Sequence, residues 1–346
     1  MRLFKSLLYC LFLIIPVICQ DLHSQKDYSN EKVYRIFYDD NYETVEDIIG
    51  SLRNNEIDIW SNTGDHLDIL CNTDEWIKIL NSHKDLQYEI FIDSINDRIQ
   101  DTLSQEPLFD THTNQINFNT ESNDDAREIL GDIFFNEYRN LQTIEIWLQL
   151  LQETFPDFVK LEQIGHTSDG HALNVVHISA HNYIDNPDKK TIVITGGLHA
   201  REWISISTAC YTMYELLLNY GKDKKTTKYL DSLDFIFVPI FNPDGYDYSW
   251  TTDRLWRKNR QPTSIDECPG IDIDRSFGFQ WAKSHEFPCS ESYNGEVPFE
   301  ALESQYWDTY LREIKKDYKI FGYLDLHSYS EEILYPYGYS CDALPR

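Results

Sequence analysis

The chain has 346 residues, of which 41% are hydrophobic and 14% are aromatic, a composition typical of a folded globular protein. Its 58 acidic and 30 basic residues give a formal net charge of −28 at pH 7. A protein this acidic repels nucleic acid and anionic lipid, so neither nucleic acid nor a membrane surface is expected as a partner.

The first twenty residues have the pattern of a secretory signal peptide. A cationic start at Arg2 and Lys5 is followed by an almost unbroken apolar run that ends at Cys19. The run is short for a membrane span of about 20 residues, and a strongly polar stretch follows it. We therefore predict a signal peptide over residues 1–20 and a secreted protein, located in the vacuole or outside the cell.

The remaining residues are too many for one compact core, and their charge changes along the chain. Residues 21–138 hold 27 acidic against 8 basic residues, a net charge of −19, whereas residues 139–346 hold 31 against 20, a net charge of −11. We predict an acidic domain over residues 21–98 and a second domain over residues 139–346. Residues 99–138 are predicted to be a mostly exposed connector with a short helix near residues 126–135.

Residues 31–98 alternate between short strands and helices. Strands are predicted at residues 33–37, 57–60, 66–70 and 88–92, and helices at residues 43–52 and 73–80. Thr73 or Asp74 is the expected cap of the second helix. The order β-α-β-β-α-β predicts a ferredoxin-like α+β domain.

From residue 143 onward the pattern becomes that of a larger α/β domain. Helices are predicted at residues 143–155 and 203–220, and strands at residues 161–164, 173–178, 191–195, 235–240 and 323–325. The β-branched run at residues 191–195 is typical of a fully buried strand. Cys210 lies in the second helix, and we predict that it is a buried thiol.

Potential metal ligands follow two of these strands. His199 and Glu202 come after the strand at residues 191–195, and His327 comes after the strand at residues 323–325. Open α/β sheets place their ligands at the carboxyl ends of strands, so the fold can bring the three side chains together. Two histidines and a carboxylate are a ligand set of catalytic zinc, which keeps its fourth position for water. We therefore predict a Zn²⁺ site here.

Cys268 and Cys289 flank a loop rich in Gly, Pro and Ser. In an oxidising compartment they are the best candidates for a disulfide bond. No Cys pair has the close spacing of a zinc knuckle, so a Cys/His zinc site is disfavoured.

Several sequence blocks, in the same order along the chain, resemble those of zinc carboxypeptidases of the A/B type. The blocks lie at residues 196–203, 242–246, 255–258 and 326–330. The resemblance implies a mixed, twisted sheet flanked by helices for the α/β domain. It also implies that residues 31–98 are similar to the inhibitory pro-domain of that family.

The resemblance implies a role for each residue of the site beyond the three zinc ligands. Asp272 would orient His199 through the second nitrogen of its ring. Arg257 would stabilise the oxyanion of the tetrahedral intermediate, and Arg275 would bind the C-terminal carboxylate of a peptide. The neighbouring substrate subsites would be lined by Arg201, Ser328 and Tyr329. The expected partners are a peptide C-terminus or another small ligand in the zinc pocket, and the chain's own pro-domain.

Two departures from the family pattern argue against catalysis. Asp274 replaces an amide residue next to Arg275, so it brings an anion toward the peptide carboxylate and can neutralise the arginine. We expect C-terminal carboxylates to bind more weakly by about two or more orders of magnitude in Kd. The sequence also stops 19 residues after His327, before the position of the family's catalytic glutamate, so we expect a C-terminally truncated chain. Without that base, assistance of about 10²–10⁴-fold is lost.

We therefore interpret the chain as an inactive relative of the zinc carboxypeptidases, similar to the fungal metallocarboxypeptidase-like proteins linked to cell wall organisation. The alternative is an active zinc carboxypeptidase that releases C-terminal amino acids, because the zinc ligands and Arg257 are present. A third interpretation is a structural or inhibitory role of the acidic N-terminal domain alone, which would survive His199→Ala. A serine hydrolase is disfavoured because no Gly-x-Ser-x-Gly motif occurs.

Overall fold

The computed structural model describes residues 25–38, 42–54, 57–83, 86–103, 131, 134–180, 189–283 and 287–337. The predicted signal peptide and most of the helix predicted at residues 126–135 lie outside the described residues. We refer to the described part of residues 25–103 as the N-terminal unit and to that of residues 134–337 as the C-terminal unit.

The N-terminal unit has the predicted order of elements, followed by one further helix. Its elements are β1 (Glu31–Phe37), α1 (Tyr42–Asn54), β2 (Asp58–Asn62), β3 (His66–Asn72), α2 (Thr73–Ser82), β4 (Gln87–Ile92) and α3 (Ile95–Thr102). The strands form an antiparallel sheet in the order β2-β3-β1-β4. The predicted ferredoxin-like α+β fold is confirmed.

The main core of this unit lies between the sheet and its first two helices. Ile36 and Ile69 of the sheet share one buried cluster with Leu52 of α1 and Trp76 of α2. Tyr34 stacks on Trp76 with the ring centroids 4.1 Å apart, which adds a directional contact to the burial of apolar surface.

Helix α2 begins at Thr73 as predicted, but its N-cap lies one residue earlier than the predicted cap. Asn72 is the N-cap, and its Oδ1 accepts hydrogen bonds from the backbone N–H groups of Asp74 and Glu75, both at 3.0 Å. Glu75 Oε2 in turn accepts the backbone N–H of Asn72 at 2.9 Å. This reciprocal capping box satisfies donors that neither Thr73 nor Asp74 could satisfy from inside the helix.

Helix α3 crosses the predicted domain boundary at residue 98. Ile95 and Ile99 are 2% and 4% exposed, and they pack in a cluster with Tyr28 and Val33. The sequence prediction places residue 99 in a mostly exposed connector, because residues 99–137 are rich in Asn, Asp, Thr and Ser and show no clear periodicity. The N-terminal unit therefore extends at least to Thr102.

The C-terminal unit contains a five-stranded mixed sheet, as predicted. Its elements are α4 (Leu141–Thr154), β5 (Val159–His166), β6 (Ala172–Ile178), β7 (Lys190–Gly196), α5 (Trp203–Asn219), α6 (Lys224–Ser232), β8 (Leu233–Val238), α7 (Pro243–Thr251), a short 3₁₀ turn (Ile273–Arg275), α8 (Leu302–Ile314) and β9 (Lys319–Leu326). The strand order is β5-β6-β8-β7-β9. Strands β5, β6 and β8 pair antiparallel, whereas β8, β7 and β9 pair in parallel.

Helices cover both faces of this sheet. Trp147 of α4 and Met213 of α5 belong to a buried cluster on one face, and Trp307 of α8 belongs to a second cluster on the other. Val193 and Ile194, neighbours on β7, point into different clusters, as the alternation of side chains along a strand requires.

The pairing of β7 with β9 positions the candidate site. Thr195 lies opposite Asp325 in this parallel pair, so the segments that follow the two strands leave the same edge of the sheet. Gly197 then turns the chain with a φ of +67°, and an added Cβ would lie 2.6 Å from the side chain of Ile206. A glycine is needed at this turn, which leads to the metal motif and into α5.

Cys268 and Cys289 form the predicted disulfide bond, with an S–S distance of 1.99 Å. The loop that it closes carries Asp272, Asp274 and Arg275, three residues singled out for the site. The bond therefore closes the loop that carries these three residues of the candidate site.

Cys210 is 1% exposed within α5, as its apolar helix predicted. Within the described ranges, no helix combines the length and the apolar composition needed to cross a membrane.

Candidate metal centre

The three predicted zinc ligands converge at the ends of β7 and β9. His199 and Glu202 lie between β7 and α5 and are 4% and 6% exposed, whereas His327 follows β9 with its side chain 34% exposed. The Nδ1 atoms of the two histidines are 3.2 Å apart. Glu202 Oε1 lies 2.7 Å from His199 Nδ1, and Glu202 Oε2 lies 2.9 Å from His327 Nδ1. All three side chains thus direct a ligand atom toward one point.

The Nε2 atom of each histidine, which faces away from the other ligands, lies within hydrogen-bond distance of a carboxylate. His199 Nε2 lies 3.2 Å from Asp272 Oδ1, and His327 Nε2 lies 2.9 Å from Asp325 Oδ2. The second oxygen of Asp325 accepts a hydrogen bond from the hydroxyl of Thr195 at 2.6 Å. Carboxylates in this position set the tautomer and the orientation of metal-binding imidazoles. Both rings are therefore prepared to present Nδ1 to a metal ion.

The spacings of the ligand atoms fit a zinc ion. Two ligand atoms at about 2.0–2.1 Å from a tetrahedral Zn²⁺ lie about 3.3 Å apart. The observed 3.2 Å between the two Nδ1 atoms is close to that value. His199, Glu202 and His327 would hold the ion, which when bound supplies a Lewis acid that polarises a water or a carbonyl group.

Neighbouring charges shift the pKa values of Glu202 and His327. Burial raises the pKa of the Glu202 carboxyl, but His199 and His327 outweigh burial and hold that pKa well below its ordinary value. Burial lowers the pKa of His327, but Asp325 and Glu202 together raise it to about 11. The ion must displace a proton from His327, so affinity for metal falls as the pH is lowered.

Asp272 joins the metal centre to Arg257. Asp272 is fully buried, and its Oδ2 accepts hydrogen bonds from Arg257 Nε at 3.2 Å and Nη2 at 2.9 Å. Burial raises the pKa of Asp272, but Arg257 and His199 outweigh it and lower that pKa far below its ordinary value. The predicted oxyanion residue is thus held in place by the carboxylate that orients the first zinc ligand.

Asp274 and Arg275 form an ion pair beside the same centre. Asp274 Oδ2 also lies 4.0 Å from His199 Nε2, and the side chains of the pair are 29% and 53% exposed. The guanidinium assigned to the peptide carboxylate therefore already contacts a carboxylate of the chain itself.

The N-terminal unit lies over the predicted substrate residues. Arg201 donates two hydrogen bonds to Asp58, from Nη1 at 2.7 Å and from Nη2 at 3.2 Å. The hydroxyl of Tyr329 donates to Asp68 Oδ2 at 2.9 Å, and its ring packs edge-on against Trp60. These contacts place β2 and β3 of the N-terminal unit over the entrance to the centre.

The remaining predicted residue, Ser328, acts through its backbone, whose N–H donates to Glu202 Oε2 at 3.2 Å. Sequence reasoning did not identify Asp325, Asp58 or Asp68. Asp325 could have been found, because it lies only two residues before His327, near the carboxyl end of the strand that leads to the ligand. The two residues of the N-terminal unit carry no motif.

The C-terminal part of the chain matches a known protein family. The Peptidase_M14 zinc carboxypeptidase model matches residues 144–346. The chain belongs to the zinc carboxypeptidase family. The match begins in α4 and takes in all three candidate ligands, so the family assignment and the geometry of the centre concern the same part of the chain.

Individual members of the family extend this similarity to the N-terminal unit. The chain is 50% identical to the Saccharomyces cerevisiae protein named Inactive metallocarboxypeptidase ECM14, over 97% of this chain and 74% of that protein. It is 47% identical to the Arthroderma otae protein of the same name, over 62% of this chain and 37% of that protein. The crystal structure of thrombin activatable fibrinolysis inhibitor, 26% identical, covers 90% of this chain and 75% of that chain with a TM-score of 0.72.

Proposed function

We propose that this protein is a zinc-binding but non-catalytic carboxypeptidase homologue. Relatives at 50% and 47% identity carry the name of an inactive metallocarboxypeptidase. The ligand set of His199, Glu202 and His327 supports zinc binding, since both imidazoles have their outer nitrogens occupied by carboxylates. In this proposal the ion organises a ligand pocket and does not turn over a substrate.

The observation that carries the proposal is the ion pair of Asp274 with Arg275. A guanidinium binds a peptide carboxylate well when both of its N–H edges are available and no competing anion is near. Here the adjacent Asp274 competes for Arg275 and also repels an incoming carboxylate. Anchoring of a peptide C-terminus, the first requirement of a carboxypeptidase, is thereby weakened.

The covering of the centre by the N-terminal unit supports the same proposal. Asp58 engages Arg201, and Asp68 engages Tyr329, so residues that would line the substrate subsites are used within the chain. The N-terminal unit is then the resident partner of the pocket, and any other occupant is a small ligand or a peptide C-terminus that fits beneath it.

The place of action is part of the proposal. The cationic and apolar start of the chain supports secretion to the vacuole or the cell exterior, and the Cys268–Cys289 bond suits such an oxidising compartment. The resemblance to fungal metallocarboxypeptidase-like proteins supports a contribution to cell wall organisation.

The second candidate is an active zinc carboxypeptidase. It is favoured by the converging ligand atoms and by Arg257, which Asp272 holds beside the centre. The two candidates differ in whether a zinc-loaded chain releases a C-terminal residue.

The test is the binding and cleavage of a blocked dipeptide with a free C-terminal carboxylate by the zinc-loaded full chain. Calorimetry would measure the dipeptide affinity of the native chain and of Asp274→Asn. The same comparison would be repeated with Asp58→Ala added to both chains, because this substitution weakens the contact of the N-terminal unit with Arg201. We expect Asp274→Asn to tighten binding at least tenfold, and the exposed control Asp266→Asn to leave it unchanged. Equal dipeptide affinities for Asp274→Asn and Asp266→Asn would contradict the proposal. Release of the C-terminal residue by the native chain would establish the second candidate.

A further inference from the structure

A cavity of about 220 Å³ lies where helices α4 and α5 of the C-terminal unit end, and we call it the helix-end cavity. Its lining residues fall within residues 154–158 and 217–222. Helix α5 begins at Trp203, directly after the candidate ligand Glu202, and its 17 residues span about 25 Å. The helix-end cavity is therefore separated from the metal centre by the length of a helix and shares no residue with the predicted substrate subsites.

Helix α4 ends at this cavity with a carbonyl group that has lost its helical donor. In a continued helix, the backbone oxygen of Thr154 would accept the N–H of Phe158, four residues later. That N–H donates instead to the backbone oxygen of Phe155 at 3.0 Å. Among the described residues no other donor bonds to the oxygen of Thr154, which lies at the negative end of the helix dipole.

Helix α5 ends at the same cavity in the same way. In a continued helix, the oxygen of Leu218 would accept the N–H of Lys222, but that N–H donates to the oxygen of Asn219 at 3.1 Å. The oxygen of Leu217 also lacks its helical donor, because the N–H of Gly221 donates to a threonine hydroxyl at 2.9 Å. Two helix ends thus bring backbone acceptors without helical donors to one cavity.

Much of the remaining wall is aromatic. Phe158 and Tyr220 meet edge to face with their ring centroids 5.0 Å apart. The hydroxyl of Tyr220 donates to Asp231 Oδ1 at 2.9 Å, so the part of this residue that is left for a ligand is its ring. The face of an aromatic ring carries partial negative charge and attracts cations. The rings and the carbonyl oxygens therefore favour the same sign of charge.

The charged side chains of the wall do not reverse this preference. Asp157 and Lys222 carry opposite charges, and both are exposed at the rim. The sign of charge favoured inside the cavity is therefore set by the carbonyl oxygens and the rings, which accept hydrogen bonds and attract positive charge. A ligand that matches this wall has a cationic head with N–H donors and an apolar chain.

We propose that the helix-end cavity binds a primary aliphatic amine in its ammonium form. Its N–H groups donate to the backbone oxygens of Thr154, Leu217 and Leu218, and its chain packs against Phe158 and Tyr220. The ammonium group can belong to a free alkylamine or to the side chain of a lysine. The inference is independent of the proposed function, because the cavity shares no residue with the metal centre.

The test is calorimetry on the zinc-loaded full chain at pH 7, where pentylamine is protonated. 1-Pentanol is the uncharged counterpart, and pentyltrimethylammonium keeps the charge but has no N–H donor. Pentylammonium is expected to bind about tenfold more tightly than 1-pentanol and about threefold more tightly than pentyltrimethylammonium. Nα-acetyl-lysine amide, titrated in parallel, distinguishes the two sources, because the tighter of the two amines identifies the one that the cavity prefers.

Two pairs of variants test the location of the amine. Tyr220→Leu removes a ring and should weaken pentylammonium about fivefold, whereas Tyr220→Phe keeps the ring and should bind it as the native chain does. Asp157→Lys adds positive charge at the exposed rim and should also weaken pentylammonium about fivefold. Asp97→Lys, the same change at an exposed position of the N-terminal unit, should have no effect. The exposed variant keeps the test decisive if Tyr220→Leu does not fold.

Equal binding of pentylammonium and 1-pentanol would overturn the proposal, and so would an unchanged affinity for pentylammonium in Asp157→Lys. Binding of pentyltrimethylammonium as tight as that of pentylammonium would show that the carbonyl oxygens do not hold the head, which also contradicts the proposal. Equal weakening by Tyr220→Phe and Tyr220→Leu would assign the effect to the contact with Asp231 and would remove the ring from the site.

Discussion

Glu303 gives the structure a pH dependence that can be measured directly. Its side chain lies 1% exposed at the start of α8, where Oε2 accepts a hydrogen bond from Asn259 Nδ2 at 2.9 Å and Oε1 has no partner among the described residues. Asn259 Oδ1 accepts the backbone N–H of Ile271 at 2.8 Å. Glu303 is thereby connected, through Asn259, to the backbone of Ile271. Asn259 lies two residues after Arg257, and Ile271 lies directly before Asp272, so this contact links the two segments.

Burial raises the pKa of the Glu303 carboxyl to about 7, with smaller contributions from Asp244 and Asp169. Because this value is above that of the unfolded chain, the folded chain retains a proton that the unfolded chain releases. The stabilisation is complete below the unfolded pKa of about 4.3 and is lost as the pH rises through about 7. Between pH 5 and pH 8 the loss amounts to about 2–3 kcal/mol of unfolding free energy.

Glu303→Gln should remove this loss, because the amide keeps the shape and the acceptor for Asn259 but cannot ionise. Urea denaturation at pH 5 and pH 8 would measure the free energy of unfolding of both chains. Relative to the native chain, the variant should gain about 2–3 kcal/mol more at pH 8 than at pH 5. Glu313→Gln, an exposed position on the same helix, is the control. If Glu303→Gln changes stability by the same amount at both pH values, Glu303 is ionised in the folded chain and the reasoning is wrong.

Two further predictions concern the metal centre and its cover. Asp325→Asn should weaken zinc binding by about 10–100-fold, because the amide no longer fixes the His327 ring, and competition with a chromophoric chelator would measure the loss. An unchanged zinc affinity, with Asp317→Asn as the exposed control, would contradict the role of Asp325. Asp58→Ala should lower the free energy of unfolding by about 3 kcal/mol, because it leaves the Arg201 guanidinium, whose side chain is only 13% exposed, without its main partner. Limited proteolysis should then cleave between the units faster. Cleavage no faster than in Asp97→Ala would show that the ion pair does not hold the cover.

The features that could be predicted from the sequence are those specified by neighbouring residues. The strand and helix order of residues 31–98 follows from local periodicity, and the buried strand at residues 191–195 follows from its β-branched composition. The family resemblance supplied the pairing of His199 with Asp272, residues that are 73 positions apart. Local patterns and recognised motifs were therefore sufficient for the fold class, and the residues that they named as metal ligands lie close together in the structure.

The features that were missed depend on packing between distant segments. Helix α3 is held by Ile95 and Ile99 against the N-terminal sheet, and so few apolar residues did not identify it as part of that unit. The contact of Asp58 with Arg201 spans 143 positions and belongs to no motif. Helix α8 was also missed. Its Trp307 is buried against a face of the sheet, and that face forms only when the distant strands come together in the folded chain.

The separation of these contacts along the chain also sets an order of events during synthesis. The N-terminal unit leaves the ribosome first, but the residue that Asp68 contacts, Tyr329, follows it by 261 positions, roughly 13–50 s at 5–20 residues per second. His327, which completes the set of metal ligands, precedes Tyr329 by only two residues. A nascent chain therefore acquires its last ligand and the docking point of its cover almost simultaneously, so that a competent but uncovered metal centre has little time to exist.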